Sequence, residues 1–140
     1  MPLRPPHFNL VRGSRSTPAP ADKKDTERAS HYIECCLPES VDALVFNPPY
    51  VPTDDEEVGG GGIEASWAGG LRGRRVLDRL LPHVARVLAP AGRFYVVCVA
   101  ENDPASIVSY LRERGLTGET VLRRRARNEA LSVLRFVRSS

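Results

Sequence analysis

The sequence predicts an α/β fold with a mixed sheet, on three observations. Residues 41–46 are apolar at five of six positions and run directly into Asn47, Pro48, Pro49 and Tyr50, the pattern of a buried strand that stops abruptly because proline cannot continue a central ladder. A helical stripe of Val76, Leu77, Leu80, Leu81, Val84, Val87 and Leu88 is followed by a near-continuous apolar run at residues 93–99, which reads as a helix leading into a strand of a parallel sheet covered on both faces. Two apolar segments near the end, residues 119–122 and 131–137, flank a charged connection at the spacing of an antiparallel pair.

Taken in order, residues 1–36 hold Pro2, Pro5, Pro6, Pro18 and Pro20 among Arg, Ser and Lys without apolar periodicity, and are expected to be a disordered leader to a folded region at residues 37–140. His7 and His31 stand isolated in polar sequence and read as solvated. A short apolar patch around Cys35 and Cys36 is ended by Pro38. After the tetrapeptide, Asp54, Asp55, Glu56 and Glu57 read as a solvated acidic loop. Residues 59–62 are a glycine run without the Gly-Lys-Ser/Thr ending of a phosphate loop, hence a hinge. The small-residue segment at 63–70 carries Trp67, which packs this loop against the sheet or over a cleft. An amphipathic helix begins near Arg74 and bends at Pro82, and His83 beside it is structural. Pro90, Ala91 and Gly92 make a turn. Asp103 as N-cap and Pro104 at the first helical position start a second helix, which turns Ile107, Val108, Tyr110 and Leu111 inward and closes at Gly115. Arg123, Arg124, Arg125 and Arg127 fall in the connection of the final pair; such a cluster can serve as a nucleic-acid patch, but without interleaved aromatics the reading preferred is an exposed strand end or partner contact.

At 140 residues one domain is the default. A net charge of +3 is too slight to imply nucleic acid. The apolar runs are too short to span a bilayer, and the first residues do not form a secretory signal. Cys35, Cys36 and Cys98 are an odd number without C-x-x-C spacing, so neither a disulfide framework nor a zinc site is expected, and no metal. A soluble protein of the cytoplasm or nucleus follows, without a membrane partner.

The residues that carry chemistry are in the tetrapeptide. The residue before a proline is held extended, so Asn47 is presented on a stiff turn at the carboxyl end of a strand, where open α/β sheets place their ligands. An amide or aromatic amino nitrogen is a poor nucleophile because its lone pair is delocalised. The Asn47 carboxamide oxygen and the Pro48 carbonyl are two acceptors suited to the two N–H bonds of an NH2 group, and Tyr50 offers a ring face to a flat acceptor. Positioning and electrostatics then supply the catalysis.

Asn47-Pro48-Pro49-Tyr50 resembles the signature of class I S-adenosylmethionine-dependent methyltransferases that act on glutamine or adenine NH2 groups. Residues 44–51 together with residues 62–70, Gly73-Arg74 and the closing residues 131–136 resemble more specifically the eukaryotic HemK-type methyltransferases. The match runs from about Leu37 to the end of the chain. It implies the C-terminal half of a Rossmann-like class I sheet, ending in an antiparallel strand pair. It also implies methyl transfer from S-adenosylmethionine to the glutamine of the Gly-Gly-Gln motif in the translation termination factor, with protein lysine and adenine as further acceptors. The resemblance makes Asn47, Pro48 and Tyr50 catalytic, the stretch Asn47, Pro48, Pro49, Tyr50 and Val51 substrate-binding, and Asn47 a cofactor contact. It implies a heterodimer with a small zinc-binding activator subunit. A full class I domain places three strand–helix units of roughly thirty residues each before this strand, whereas forty residues precede Val41. No acidic-Gly-x-Gly loop or ribose-binding acid is found there, so the chain looks like a truncated form lacking the cofactor-binding half. Two readings follow: an enzyme that needs the missing half, or an inactive fragment that binds a partner.

Overall fold

The computed structural model describes residues 7–12, 15–18, 33–54 and 69–140. Six strands form one sheet: β1 (His7–Arg12), β2 (Arg15–Pro18), β3 (Val41–Asn47), β4 (Leu88–Cys98), β5 (Leu116–Ala126) and β6 (Glu129–Arg138), in the order β2-β1-β3-β4-β6-β5. β3 and β4 are parallel and the other neighbours antiparallel. Helix α1 (Arg75–Val87) connects the parallel pair, and α2 (Pro104–Arg112) connects β4 to β5. This is the mixed α/β sheet with a terminal antiparallel pair that the sequence predicts.

The core follows from the apolar pattern. The whole predicted stripe is buried, Val76, Leu77, Leu80, Leu81, Val84 and Val87 on α1 and Leu88 as the first residue of β4, and α2 adds Ile107 and Leu111 to the same cluster. Both helices pack on Leu44, Phe46, Phe94, Val96, Cys98, Leu134 and Phe136, with the Phe94 and Phe136 rings stacked at 5.8 Å across the β4–β6 pair. The opposite face is less covered: Val45 is 38 % exposed, and Tyr95 and Val97 are half-buried. The expectation that residues 93–99 are buried on both faces is therefore corrected. Both described helices pack into one core, so β4 alternates instead of being uniformly dry.

Four further differences have local causes. Pro90, Ala91 and Gly92 do turn, but inside β4: Val41 pairs with Leu88 and Ala43 with Arg93, so the chain bulges between these contacts. A side chain at Gly92 would meet the Val41 carbonyl at 2.6 Å. The final hairpin is longer than expected, its turn reduced to Arg127 and Asn128, with Arg123, Arg124 and Arg125 inside β5. Their charge obscures a strand that pairs through its backbone. The patch around Cys35 starts as a helical turn at Ile33 and Glu34, fixed by the Arg86 guanidinium donating to the carbonyls of Ile33, Glu34 and Cys36 at 2.8–3.1 Å. Finally, within the leader, His7–Arg12 and Arg15–Pro18 form an antiparallel hairpin along the edge of β3, where an unpaired row of N–H and C=O groups would otherwise remain. Residues 1–6, 13–14, 19–32 and 55–68 lie outside the described residues, and with them most of the leader, the acidic loop beyond Asp54, the glycine run and Trp67. No helix among the described residues is long and apolar enough to cross a membrane.

Candidate acceptor-nitrogen site

β3 ends at Asn47, and Pro48 and Pro49 are buried immediately behind it. The Asn47 side chain is half-buried, yet its Oδ1 is screened from solvent and has no hydrogen-bond partner among the described residues. An unmet buried acceptor typically costs roughly 1–3 kcal/mol, and this one stands at the carboxyl end of a strand parallel to β4, where open α/β sheets place their ligands.

The turn after Asn47 is held from several sides. Gly69 N–H donates to the Val51 carbonyl at 2.8 Å, Thr53 N–H to the Gly70 carbonyl at 3.1 Å, and Gly70 N–H to the Thr53 hydroxyl at 3.1 Å. The crossing chain takes φ of 69° at Gly70, 56° at Arg72 and 66° at Gly73, a left-handed run that glycine accommodates and Arg72 does not adopt unaided. A methyl group at Gly69 would overlap the Pro49 carbonyl, and one at Gly73 the Tyr50 carbonyl. The glycines are there to let two backbones touch.

Asn102, 1 % exposed, ties this crossing to the mouth of β4. Its Nδ2 donates to the carbonyls of Tyr50 and Arg72, both at 2.8 Å, and its Oδ1 accepts the Val99 N–H at 2.8 Å. Arg74 buttresses it, donating to the Asn102 carbonyl at 3.0 Å and the Ser106 hydroxyl at 2.5 Å while pairing with Asp78. Asp103 is the N-cap of α2 as the sequence predicts, with Pro104 following. Its side chain makes no capping bond; its φ of 53° redirects the chain instead.

Tyr50 lies half-buried beside a cavity of about 290 Å³, lined by Tyr50, Pro52, Val99, Glu101, Asn128 and Glu129 among others. Its hydroxyl donates to Glu129 Oε2 at 3.4 Å. Burial, then the Glu129 charge and hydrogen bond, push the phenol above its ordinary range, so Tyr50 is a neutral donor at physiological pH. The Cys98 thiol is pushed up to about 11 by burial, partly opposed by Arg74. It is a buried strand residue and not a nucleophile.

The comparisons with known proteins converge on one family. The chain is 53 % identical over 103 residues to the human methyltransferase HEMK2, covering 74 % of this chain and 48 % of that protein. The chain belongs to the HemK-type methyltransferase family. The eRF1 methyltransferase catalytic subunit mtq2 of Schizosaccharomyces pombe is 42 % identical over 104 residues, 73 % of this chain and 45 % of that one. Among solved structures, the E. cuniculi Mtq2-Trm112 complex responsible for methylation of the eRF1 translation termination factor matches with a TM-score of 0.56 and 33 % identity, over 72 % of this chain and 54 % of that one. No family model matches. The chain spans about half the length of the curated relatives it matches.

Methyltransferases of this kind use S-adenosylmethionine, and the described residues fit only one side of such a site. Dinucleotide-type crevices open where two parallel strands diverge at a reversal of strand order, with a glycine-rich turn and an acid beside them. Here the second neighbour of β3 is the antiparallel β1, and no glycine-rich strand-to-helix turn stands among the described residues. Sequence reasoning brings Asn47, Pro48, Pro49, Tyr50 and Val51 together, as the structure does. It misses Asn102 and Glu129. Asn102 reads locally as part of a helix start, and Glu129 as part of a charged turn, because their partners are 52 and 79 residues away.

Proposed function

We propose that this chain forms the acceptor-binding part of an S-adenosylmethionine-dependent N-methyltransferase whose substrate is the glutamine side-chain amide of the Gly-Gly-Gln motif in the translation termination factor, acting in the cytoplasm with a small zinc-binding activator subunit. The observation that carries this reading is the partnerless buried Oδ1 of Asn47 at the end of a strand followed by two buried prolines and a neutral tyrosine. The names of its relatives support the substrate and partner. Asn47 Oδ1 accepts one N–H of the acceptor NH2, and the Pro48 carbonyl accepts the other. The nitrogen lone pair is then directed away from both, toward the methyl group. Tyr50 presents its ring to the flat amide. The alkylated nitrogen loses its proton readily, so orientation is the main task. The test is methyl transfer by the assembled enzyme to three acceptors: a Gly-Gly-Gln peptide, the corresponding lysine peptide and an adenine-containing oligonucleotide. Modification of the glutamine peptide is expected; transfer confined to lysine or adenine would overturn the assignment.

A second reading, a partner-binding chain that is inactive alone, is favoured by the antiparallel β1 on the side of β3 where a switch-point crevice would open. The two share one expectation, that the isolated chain does not bind S-adenosylmethionine with ordinary enzyme affinity. Calorimetric titration showing micromolar binding at unit stoichiometry would contradict it.

A further inference from the structure

We propose that Glu129 is a positioning residue that sets the Tyr50 ring against the acceptor by holding its hydroxyl at the cavity that both residues line. This rests on the functional reading above, since it concerns the same site. Glu129 is the first residue of β6, directly after the two-residue turn. Tyr50 is on the loop that leaves β3, in the opposite half of the sheet sequence. Their contact at 3.4 Å therefore links two elements, 79 residues apart in sequence, that both line the cavity. Three other features make it a tether and not a chance approach. The Tyr50 carbonyl is fixed independently by Asn102 at 2.8 Å, so one end of this residue is rigid and the ring has only its side-chain torsions left. The hydroxyl is the handle that fixes those torsions. Glu129 is half-buried, and its carboxylate faces the phenol hydroxyl at 3.4 Å, a long contact whose pull on the neutral donor is mainly electrostatic. Glu101 lines the same cavity but makes no hydrogen bond to Tyr50 among the described contacts, so the ring is drawn toward β6. An aromatic platform that swings costs binding each time it must be ordered. A tethered one is already in place.

The test uses the full chain labelled at the tyrosine ring carbon, with Tyr50 assigned among the four tyrosines through Tyr50→Phe, and reads both hydroxyl titration and affinity for a Gly-Gly-Gln peptide. Glu129→Gln keeps the acceptor and the fold but removes the charge. The Tyr50 midpoint is expected to fall toward the ordinary tyrosine value while the other three stay in place. Glu129→Ala and Tyr50→Phe are each expected to weaken the peptide by roughly two- to tenfold, the range of one lost hydrogen bond, and the double variant by no more than either alone. A Tyr50 midpoint unmoved in Glu129→Gln overturns the tether. A midpoint that moves while the two single variants bind as wild type, or act additively, overturns the positioning role. Failure of the wild-type chain to bind the peptide would instead sink the functional reading, and the substrate part of this proposal with it.

Discussion

Asn102→Ala is expected to destabilise the chain by roughly 2–3 kcal/mol, since it leaves one buried and two partly buried backbone groups without the partner they now have. Those groups are the Val99 N–H and the Tyr50 and Arg72 carbonyls. The volume removed is small, so most of the loss is unmet hydrogen bonding and not a cavity. Asn102→Asp separates these causes because it preserves shape. Above the titration range of the new carboxyl it turns an oxygen toward two carbonyl oxygens, and it should be at least as damaging as alanine. Burial and those carbonyls raise the pKa of the new carboxyl in the folded state, so this extra penalty is full at neutral pH and fades as pH falls through the folded and then the unfolded value. Protonated, the group can donate to one carbonyl again. Urea unfolding followed by circular dichroism at neutral and acidic pH measures both effects. An alanine variant within roughly 0.5 kcal/mol of wild type, the range of an ordinary surface change, would mean that the crossing is held by its backbone alone.

Most strands and helices from residue 41 onward are legible in the sequence because each is marked by its own periodicity. Val76 through Leu88 repeat at helical spacing, and all of them are buried. Asn47 and Tyr50 are legible because two prolines stop a strand where ligands bind. What remains hidden depends on partners distant in sequence. Arg72 at φ 56° and the three-way bonding of Asn102 exist because two loops cross, and neither loop announces the other. The strand character of Arg123, Arg124 and Arg125 is hidden for a different reason. On an outermost strand charge is tolerated, even protective, because one side of the backbone is unpaired, so a charged run there reads as a turn. The leader strands are set by the edge they cover, a property of β3 and not of residues 7–18 themselves.

Asn47→Ala is expected to slow methyl transfer by on the order of a hundredfold or more, the loss typical of one preorganised group removed from a transition state. The interaction strengthens as positive charge builds on the acceptor nitrogen, so the effect should fall on turnover more than on peptide affinity. The fold should be little changed, because the side chain stands at the mouth of β3 and its Oδ1 has no hydrogen-bond partner to lose among the described residues. Asn47→Asp keeps an acceptor at the same place and should retain transfer to within about tenfold, which separates the role of the oxygen from that of side-chain volume. The most direct measurement is single-turnover methylation of a Gly-Gly-Gln peptide by the assembled enzyme carrying Asn47→Ala. A rate at least about a hundredfold below wild type, with unfolding unchanged, is the predicted result; a wild-type rate would contradict the assignment of this strand end as the place where the acceptor nitrogen is held.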